Sequence, residues 1–417
     1  MPSPLPRPMV IVGAGHAGGR AAQALREFGW TGPVMMIGAE PHLPYERPPV
    51  SKGLLTGEQT PERCQLMSAV DLDRLQVSQV VAWVERIDPV RRELWLTGGP
   101  QQARRRIDYE ALLLATGGHL RRLRVPGAEA VGIIGLRTLD DAARLAPRLQ
   151  PGARVLVVGG GFIGLEVAAS ARQRGCEVLL LEAGERLLGR AVPAALAADV
   201  LALHRAQGVE VRLGCAPTAF ALAGDGRRRV QLDDGSEWRA DVIVAGIGIE
   251  PAVELAREAG LAVGRGISVD ATLATSAPGI FAAGDVAEFP GVQDGRPMRH
   301  ESWHNAETQA RVAAANLLGR GERLQALPWF WSDQYDHQIQ VAGDPALGVR
   351  GVARALEGGA RIDFHLDDAG RLVAASGFGP TSALAREFKL ARWLLERGAQ
   401  PGAKALADPG VRLRTLG

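Results

Sequence analysis

The fold is decided by the stretch Met9-Val-Ile-Val-Gly-Ala-Gly-His-Ala-Gly18, in which four apolar residues lead directly into a glycine-rich turn. The residues from Gly19 to Phe28 then have the composition of a helix that ends at Gly29. A Gly-x-Gly-x-x-Gly turn between a strand and a helix lets the backbone approach a pyrophosphate, whose charge is met by amides at the helix N-terminus. One copy alone is weak evidence, because packing can also require glycines in such a turn.

The same unit recurs at Arg154-Val-Leu-Val-Val-Gly-Gly-Gly-Phe-Ile-Gly164, followed by a predicted helix from Leu165 to about Arg174. Each copy continues into a second apolar strand, Val34 to Ile37 after the first and Glu177 to Leu181 after the second. A strand, a helix and a strand in this order form a βαβ unit of the dinucleotide-binding type. Two copies in the correct context predict two dinucleotide sites.

An acidic residue follows each unit, Glu40 in the first and Glu182 in the second. In a dinucleotide-binding βαβ unit, a carboxylate about 20 residues after the glycine turn accepts hydrogen bonds from ribose hydroxyls. Both acidic residues stand close to the end of the second strand of their unit. Their positions therefore strengthen the prediction of two sites.

Glycine turns also mark points where the chain passes between predicted domains. Apolar segments at 111–118 and 241–248 end in such turns, and a strand near 279–283 returns to a Gly-Asp turn at Asp285. The first nucleotide-binding domain is therefore predicted to be discontinuous, with the second inserted into it. We predict three domains, formed by residues 1–116 with 250–325, by residues 117–249, and by residues 326–417.

The last predicted domain differs from both nucleotide-binding units. Strand-like stretches at Gln338 to Ala342, Arg361 to Leu366 and Leu372 to Phe378 precede a helix from about Ser382 to Arg397. This order predicts a small α+β domain. The predicted fold class is α/β, with two Rossmann-like dinucleotide-binding domains and a C-terminal α+β domain.

Composition and charge exclude several classes of protein. The chain has 417 residues, 46% hydrophobic and 23% charged, which is typical of a folded protein of two or three domains. A formal net charge of +2 is too small to provide the field that non-specific nucleic-acid binding needs. Eight histidines without HxxxH or HxxE spacing predict no metal site. No signal-peptide pattern and no long apolar run occurs, so we expect a cytoplasmic protein without a membrane partner.

The cysteines limit the kind of enzyme that two dinucleotides imply. Cys64, Cys176 and Cys215 are the only three, and they form no CxxC pair. Disulfide reductases need two nearby thiols beside the flavin, and flavin-dependent peroxidases need one reactive thiol there. Neither arrangement is visible in the sequence, which disfavours both classes.

The chain resembles, from end to end, the FAD-dependent and NADH-linked ferredoxin reductases of bacterial oxygenase systems, the group of putidaredoxin reductase and biphenyl dioxygenase reductase. The most diagnostic motif is the aromatic one near residue 330. The motifs that carry the resemblance are Pro44-Tyr-Glu-Arg-Pro-Pro-Val-Ser-Lys52, Leu136-Arg-Thr-Leu-Asp140, Val158-Gly-Gly-Gly-Phe-Ile-Gly-Leu-Glu-Val167, Glu301-Ser-Trp-His-Asn-Ala306, Pro328-Trp-Phe-Trp-Ser-Asp-Gln-Tyr335 and Leu406-Ala-Asp-Pro409.

The resemblance implies a glutathione-reductase-like pair of Rossmann domains, FAD and NADH as cofactors, and a 2Fe-2S ferredoxin as the partner. Electrons would pass from NADH through FAD to the ferredoxin, which feeds an oxygenase. A rubredoxin reductase or an NADH oxidase on the same scaffold remains open as an alternative. So does a flavin-binding redox sensor resembling apoptosis-inducing factor.

The resemblance places FAD in the first site and NADH in the second. Asp285 can bond the ribityl hydroxyls, although an Asx turn or a helix cap would also explain it. The FAD contacts implied are Gly13, Gly15, Gly18, Glu40, Arg47, Lys52, Val84, Arg137, Asp285 and Trp303. The NADH contacts implied are Gly159, Gly161, Gly164, Glu182, Arg190 and Gly248. Further cofactor contacts are expected at Ala14, Ala115, Thr116, Gly117, Ile163, Gly246 and Gly284.

Three residues are candidate catalytic residues. Lys52, one of three lysines, can place a cation near a flavin, although a solvated surface lysine is the usual alternative. The resemblance places Glu166 near the nicotinamide ring, and a carboxylate in the first turn of a helix would explain it almost as well. Strand alternation sends Trp331 and Trp329 to one face, which is expected to edge the flavin, although aromatic residues at this density are more often core.

Two further expectations concern specificity and docking. We expect a preference for NADH over NADPH, because a 2′-phosphate at Glu182 would meet like charge and no arginine follows immediately. Candidate positive contacts for an acidic ferredoxin are Arg311, Lys389 and Arg392, although isolated basic residues are usually solvated. FAD is expected to be bound without a covalent link, because no histidine or cysteine is placed to form one.

Overall fold

The structure is a computed structural model that describes residues 6–98, 104–189 and 191–417. The chain divides into two compact units, each discontinuous in sequence. The first unit consists of Met1–Arg47, Glu62–His119 and Ile249–Ala326. The second consists of Pro48–Pro61, Leu120–Gly248 and Leu327–Gly417, so the short segment after Arg47 and the C-terminal region both belong to it.

A parallel sheet of five strands forms the centre of the first unit. The strand Met9–Val12 pairs with Val34–Gly38 on one side, where Met9 lies opposite Val34, and with Ala111–Leu114 on the other. All four residues of this central strand are buried, because apolar clusters cover both faces of the sheet. The strands follow the spatial order Ile280–Ala282, Ala111–Leu114, Met9–Val12, Val34–Gly38 and Val77–Val81.

Two helices on one face of this sheet share a core of small residues. The helix His16–Glu27 buries Ala21, and the helix Trp303–Leu317 buries Ala310 and Ala314 in the same cluster. The other helices of the unit are Ala69–Arg74 and Glu254–Glu258. Its other strands are Trp83–Asp88, Glu93–Thr97, Arg105–Asp108, Ile249–Pro251, Ile267–Ser268, Ala287–Pro290 and Pro297–Met298, with Gly118–Leu120 at the unit boundary.

The second unit contains a parallel sheet of the same kind. Its central strand Arg154–Val158 pairs with Glu177–Glu182 and with Val242–Ala245. The spatial order is Val209–Leu213, Glu177–Glu182, Arg154–Val158, Val242–Ala245 and Ile134–Gly135. The helices of this part are Gly53–Thr56, Leu139–Leu145, Phe162–Gln173 and Ala194–Ala206, and a three-stranded sheet comprises Pro217–Leu222, Arg228–Leu232 and Glu237–Ala240.

The C-terminal part of the second unit is an antiparallel sheet covered by a helix. The helix Thr381–Glu396 buries Leu384 and Phe388 against the sheet. Gly377 allows this approach, because a Cβ atom there would lie 2.7 Å from the Phe388 ring. The strands follow the order Trp329–Gln334, His337–Gly343, Leu372–Pro380, Arg361–Leu366 and Arg350–Ala355, and a short helix Ala403–Ala407 follows the long one.

The motif Leu406-Ala-Asp-Pro409 has a structural role in this part of the chain. Arg354, which is 2% exposed, donates hydrogen bonds to the carbonyl groups of Leu406, Asp408, Pro409 and Val411. Four carbonyl oxygens thus replace water around a buried guanidinium. They attach residues 406–411 to the strand Arg350–Ala355.

Several predicted elements are confirmed, and the predicted helix starts are wrong by three residues. The strands Met9–Val12 and Arg154–Val158 begin and end where the sequence predicts. The two helices after the glycine turns were expected to begin at Gly19 and Leu165, but they begin at His16 and Phe162. The middle glycine of each turn is the helix N-cap, so the last glycine lies inside the first helical turn.

Within the described ranges, no helix is both long enough and apolar enough to cross a membrane.

Candidate functional site

The first glycine turn contains two glycines that the fold requires and one that it does not. Gly13 has a φ of +115°, and a Cβ atom on it would lie 2.1 Å from the Ala115 carbonyl oxygen. A Cβ atom on Gly18 would lie 1.9 Å from the Gly13 carbonyl oxygen. At Gly15, by contrast, the nearest described atom would be the Arg47 guanidinium, at 3.7 Å. The open space beside Gly15 fits a pyrophosphate approaching the backbone.

The second glycine turn repeats this arrangement. Gly159 has a φ of +107°, and its Cβ atom would lie 2.6 Å from the Gly246 carbonyl oxygen. The Cβ atom of Gly164 would lie 1.9 Å from the Gly159 carbonyl oxygen, whereas that of Gly161 would come no closer than 3.9 Å to a described atom. Protein packing therefore explains the outer glycines of both turns but not the middle ones.

The helix N-termini at both turns are suited to an anion. The N-cap residues Gly15 and Gly161 have no side chain that could accept from the first amides, and neither first turn, both fully described, contains an acidic residue. These amides remain available for phosphate oxygens. Ile163, an expected cofactor contact in the second turn, is 42% exposed, which is high for a large apolar side chain.

The acidic residue of the first unit is held by side chains. Glu40 accepts hydrogen bonds from the Tyr45 hydroxyl at 2.5 Å and from the Arg47 guanidinium at 2.6 Å. Arg47 also lies over the Tyr45 ring, with its guanidinium carbon 5.0 Å from the ring centroid. Burial lowers the pKa of Arg47, but its electrostatic interactions with Tyr45, Glu40 and Asp285 and its hydrogen bond to Glu40 outweigh this effect and raise that pKa. Glu40 and Arg47 thus form one charged cluster near the first turn.

The acidic residue of the second unit is held by backbone amides. One Glu182 oxygen accepts from the Gly160 amide at 2.7 Å and the other from the Gly184 amide at 2.8 Å. Arg186 donates to the Val192 carbonyl group at 3.2 Å rather than to this carboxylate. Arg190, an expected NADH contact, lies outside the described residues. The carboxylate is therefore fixed at the turn before any ribose binds.

A second cluster of expected contacts lies at the carboxyl end of the first sheet. The amide of Gly284, where φ is +82°, donates to the Gln309 side-chain oxygen at 2.8 Å. Gln309 is fully buried, and its amide nitrogen has no hydrogen-bond partner among the described residues. A buried donor of this kind fits a bound polar ligand beside Gly284 and Asp285. Asp285 precedes the strand Ala287–Pro290, so a helix cap does not explain it.

The remaining expected contacts of the first unit lie in the loop after the strand Ala111–Leu114, on another strand and at the start of a helix. Thr116 donates to the Ala252 carbonyl group at 2.8 Å, and the Gly117 carbonyl group accepts from the Ala252 amide at 3.0 Å. Val84 packs against the core from the strand Trp83–Asp88. Trp303 begins the helix Trp303–Leu317 and donates to Glu46 at 3.3 Å.

Sequence reasoning missed a buried ion pair next to the first turn. His16, which is 7% exposed, contacts the Glu307 carboxylate at 3.0 Å, and Arg20 donates to the same carboxylate at 2.6 Å. Burial raises the pKa of Glu307, but the hydrogen bonds from His16 and Arg20 outweigh it and lower that pKa to about 2. The ring of Trp303 lies 5.2 Å from that of His16. The only sequence signal was a histidine inside the glycine turn itself.

The second unit brings two of the candidate catalytic residues together. The Lys52 ammonium lies 2.9 Å from the Glu166 carboxylate, which is 3% exposed. Glu166 occupies the second turn of the helix Phe162–Gln173, so the alternative of a carboxylate in the first turn is wrong. Ser51 and Ser332 also donate to this carboxylate, Ser332 at 2.5 Å. Neither serine was singled out, although each is adjacent in sequence to a residue that was.

A cavity of about 310 Å³ lies beside this pair. Lys52 and Glu166 line it together with Trp331 and Tyr335. The Trp331 ring stacks on that of Trp329, with centroids 5.1 Å apart, which confirms that the two tryptophans share one face of the strand. All three candidate catalytic residues therefore border one cavity within the second unit.

Two expected FAD contacts and one expected NADH contact lie in the second unit. Lys52 and Arg137 belong to this unit, and the first glycine turn belongs to the first. Arg137 precedes the helix Leu139–Leu145, where its amide donates to Asp141 at 3.0 Å. Gly248, with a φ of +90°, accepts from the Arg121 amide at 3.1 Å.

The three docking candidates are divided between the two units. Arg311, in the first unit, pairs with Glu27 at 2.5 Å. Arg392, in the second, pairs with Glu396 at 3.3 Å and stacks over the Trp329 ring at 4.3 Å. Lys389 is exposed on the same helix as Arg392.

Comparisons with known proteins agree with this architecture. Residues 7–310 match the pyridine nucleotide-disulphide oxidoreductase family, and residues 329–417 match the reductase C-terminal family. The anthranilate 1,2-dioxygenase system ferredoxin--NAD(+) reductase component of Burkholderia cepacia is 42% identical over 413 residues, 98% of this chain and 99% of that protein. The biphenyl dioxygenase system ferredoxin--NAD(+) reductase component of Paraburkholderia xenovorans (strain LB400) is 38% identical, covering 98% of both chains.

Among solved structures, the covalent putidaredoxin reductase-putidaredoxin complex matches with a TM-score of 0.91, at 34% identity and 98% coverage of both chains. The chain thus belongs to the pyridine nucleotide-disulphide oxidoreductases that carry a reductase C-terminal domain, the family of the ferredoxin--NAD(+) reductase components of oxygenase systems. The family and the fold class expected from the sequence are confirmed. Membership implies an oxidoreductase that uses a flavin and NAD.

Proposed function

We propose that this protein passes electrons from NADH through non-covalently bound FAD to a 2Fe-2S ferredoxin that supplies an oxygenase. The observation that carries the proposal is the pair of glycine turns whose middle glycines are left open by protein packing, in a chain with a reductase C-terminal domain. Two open turns support two dinucleotides. The ferredoxin as acceptor is supported by the names of the relatives and by the solved complex.

The two dinucleotides are assigned to different turns. We assign FAD to the turn at Gly15 in the first unit, where Glu40 and Arg47 form a charged cluster and Asp285 interacts electrostatically with Arg47. The expected FAD contacts Lys52 and Arg137 stay part of this proposal. We assign NADH to the turn at Gly161, with Glu182 as the acceptor for the adenosine ribose. The three-domain division at residues 116, 249 and 325 stays part of this proposal.

The state of the cysteines supports the proposal that the electrons do not pass to a disulfide within this protein. All three are buried, and no disulfide forms among the described residues. Burial raises the pKa of Cys64 and Cys176, and burial with the hydrogen bond to Asp233 raises that of Cys215 to about 11. Thiols of this kind stay protonated at neutral pH and are poor nucleophiles. Electrons are therefore expected to leave without thiol chemistry.

The protein contributes positioning and charge. Bound FAD would accept the two electrons of a hydride and release them singly, which is chemistry that no side chain supplies. Lys52 provides a cation that is held in place by Glu166 rather than free to move in solvent. Trp331 and Trp329 extend from the cavity toward Arg392, which gives a ferredoxin an aromatic and basic surface to contact.

The proposal is tested by turnover with purified components under anaerobic conditions. The purified protein should be yellow and should release FAD, identified by mass, on acid precipitation. NADH should bleach the flavin absorbance, and an added 2Fe-2S ferredoxin should restore it at a rate comparable to steady-state turnover. A long-lived reduced protein that leaves the ferredoxin oxidised would instead support a redox sensor. A cytoplasmic location stays a prediction from the sequence.

A further inference from the structure

Glu166 is a buried carboxylate that is held by three side-chain donors. It accepts from Ser51, from Ser332 at 2.5 Å and from the Lys52 ammonium at 2.9 Å, while it is only 3% exposed. A buried carboxylate with one cation beside it is costly unless its other lone pairs also have donors. The two serine hydroxyls are therefore needed, together with Lys52, to stabilise the buried charge of Glu166.

Ser332 is itself held by a second buried side chain. Gln334, two residues further along the same strand and 1% exposed, donates from its amide nitrogen to the Ser332 hydroxyl oxygen at 3.4 Å. A hydroxyl group has one proton. Because the Ser332 oxygen accepts from Gln334, its proton is directed to Glu166.

The orientation of Gln334 is set in turn by a histidine. The Gln334 side-chain oxygen lies 2.9 Å from Nε2 of His204, which is fully buried near the end of the helix Ala194–Ala206. Burial lowers the pKa of His204 to about 4, opposed in part by the Gln334 hydrogen bond, so the ring is neutral at pH 7. An amide oxygen only accepts, so Nε2 carries the proton in this pairing.

We propose that His204, Gln334 and Ser332 form a one-directional hydrogen-bond relay that positions the Glu166 carboxylate against Lys52. Every donor in the relay points toward the carboxylate: His204 to Gln334, Gln334 to Ser332, and Ser332 to Glu166. The three are positioning residues, because they act on the Lys52 and Glu166 pair through other side chains. The inference deepens the proposed function and rests on it for the role of that pair in electron transfer.

Losing the histidine donor would reverse the relay. Without the His204 N–H group, the Gln334 amide can turn its oxygen toward Ser332. The Ser332 proton would then be shared with Gln334, and Glu166 would lose a donor while remaining buried. The ammonium of Lys52 would no longer be held against a fixed carboxylate. His204 thus controls the pair without touching it.

The chain offers a direct probe, because it has only three lysines. Reductive methylation with ¹³C-formaldehyde keeps the charge of each lysine and gives one NMR signal each for Lys52, Lys389 and Lys404, besides the N-terminal amine. Lys389 and Lys404 are exposed and serve as internal references. In the protein without substitutions, the chemical shift of the Lys52 signal should differ from those of Lys389 and Lys404. In Glu166→Gln, which removes the charged partner of Lys52, it should move to their position.

His204→Phe, Gln334→Leu and Ser332→Ala are each expected to move the Lys52 signal toward the two references. His204→Gln keeps an N–H donor at the position of Nε2, so the Lys52 signal should stay where it is in the protein without substitutions. The double variant His204→Phe with Gln334→Leu should move it no further than Gln334→Leu alone, because the two residues act in series. Additive shifts, or an unmoved Lys52 signal in all three single variants, would overturn the relay.

A matched control lies in the same unit. His365 bonds to Ser376 at 3.1 Å in the C-terminal sheet, and Ser376 is fully buried. His365→Phe and Ser376→Ala should leave the Lys52 signal in place. If they move it as much as the relay variants do, the effect is general loosening and the relay is wrong.

Stopped-flow reduction by NADH separates the relay from the proposed function. The relay variants should slow reduction about tenfold at saturating NADH, with little change in the KM for NADH. A moved Lys52 signal with unchanged reduction would support the relay and contradict the role of the Lys52 and Glu166 pair in the reaction. Slowed reduction with an unmoved signal would contradict the relay and leave the proposed function standing.

Discussion

The two glycine turns are built on the same backbone plan but hold their acidic residues differently. In both, the first glycine has a positive φ and the last lies against the carbonyl oxygen of the first. Glu40 in the first unit is held by the side chains of Tyr45 and Arg47, whereas Glu182 in the second is held by two backbone amides. We assign the shared part to the pyrophosphate of each dinucleotide. We propose that the part that differs sets which dinucleotide each turn binds and how tightly it is bound.

The difference fits the two cofactors that we assign. A resident cofactor gains from a site with a cation, and Arg47 lies within the cluster of the first turn. A cofactor that binds and leaves in each cycle gains from a site that is organised before binding, which limits the ordering cost. Backbone amides organise Glu182 without any side chain having to move. The proposed assignment therefore implies that one unit retains its cofactor and that the other exchanges it.

The largest effect should come from the outer glycines. Gly18→Ala and Gly164→Ala each place a Cβ atom 1.9 Å from a backbone carbonyl oxygen, which only a shift of the helix can relieve. We expect a loss of more than about 3 kcal/mol in the free energy of unfolding for either variant. Urea unfolding followed by circular dichroism measures it. A near-normal midpoint in either variant would mean that the turn packs less closely than the structure has it.

Acid should destabilise the two units over different pH ranges. The pKa of His204 falls from an ordinary 6.5 to about 4 on folding, so its contribution is complete above pH 6.5 and is lost as the pH falls toward 4. The pKa of Glu307 falls from 4.5 to about 2, so its contribution is complete above pH 4.5 and is lost toward pH 2. Each residue contributes at most about 3 kcal/mol to the free energy of unfolding, and Glu307 contributes less because it is partly exposed.

Unfolding measured at a series of pH values tests this separation. His204→Phe should flatten the stability profile between pH 6.5 and 4, and Glu307→Gln should flatten it between pH 4.5 and 2. Phe162 replaces His16 at the equivalent place in the second turn, so no matching ion pair titrates beside that turn in the described chain. Profiles that change over the same range in both variants would contradict the assignment.

Glu182 should set the choice between NADH and NADPH. A 2′-phosphate would meet the carboxylate, and Arg186 is engaged with the Val192 carbonyl group. We expect kcat/KM to favour NADH by about thirtyfold, or about 2 kcal/mol. Glu182→Ala should lower the ratio of kcat/KM for NADH to that for NADPH, mainly by weakening the binding of NADH. The variant also removes the acceptor of the Gly160 and Gly184 amides.

Two variants sharpen this test. Glu185→Ala removes a neighbouring exposed carboxylate and should leave the ratio unchanged. Glu40→Ala should also leave the ratio unchanged but should speed the loss of FAD on dialysis, because Arg47 loses its partner. Equal kcat/KM for both cofactors in the unmodified protein would contradict the account and would point to an arginine that reaches the phosphate.

Local pattern predicted the parts of the molecule that depend on local sequence. The strands Met9–Val12 and Arg154–Val158 were predicted to the residue, because an apolar run that ends at glycine has few alternatives. The helix starts were missed, because a glycine inside a first turn looks the same as one before it. The family motifs were recognised in the sequence, but the function of Leu406-Ala-Asp-Pro409 became clear only when its carbonyl groups were seen around Arg354.

The candidate site was only partly predictable. Lys52 and Glu166 were singled out for separate roles, and the structure pairs them. Ser51, Ser332, Gln334 and His204 were not singled out, because their contacts join segments far apart in sequence. A serine or glutamine acquires a role only from the polar groups that folding brings to it. Such contacts have no periodic signature in a single sequence.

The middle glycines of the two turns are expected to serve ligand binding and not the fold. A comparison of Gly15→Ser with Gly161→Ser tests this expectation. Serine is a favourable N-cap residue, and a Cβ atom has room at both positions, so the free energy of unfolding of the flavin-free protein should not fall. Gly15→Ser should lower the affinity for FAD at least about tenfold and leave the affinity for NADH unchanged. Gly161→Ser should leave the affinity for FAD unchanged and lower that for NADH by a similar factor. Unchanged affinity for both dinucleotides in both variants would contradict the account.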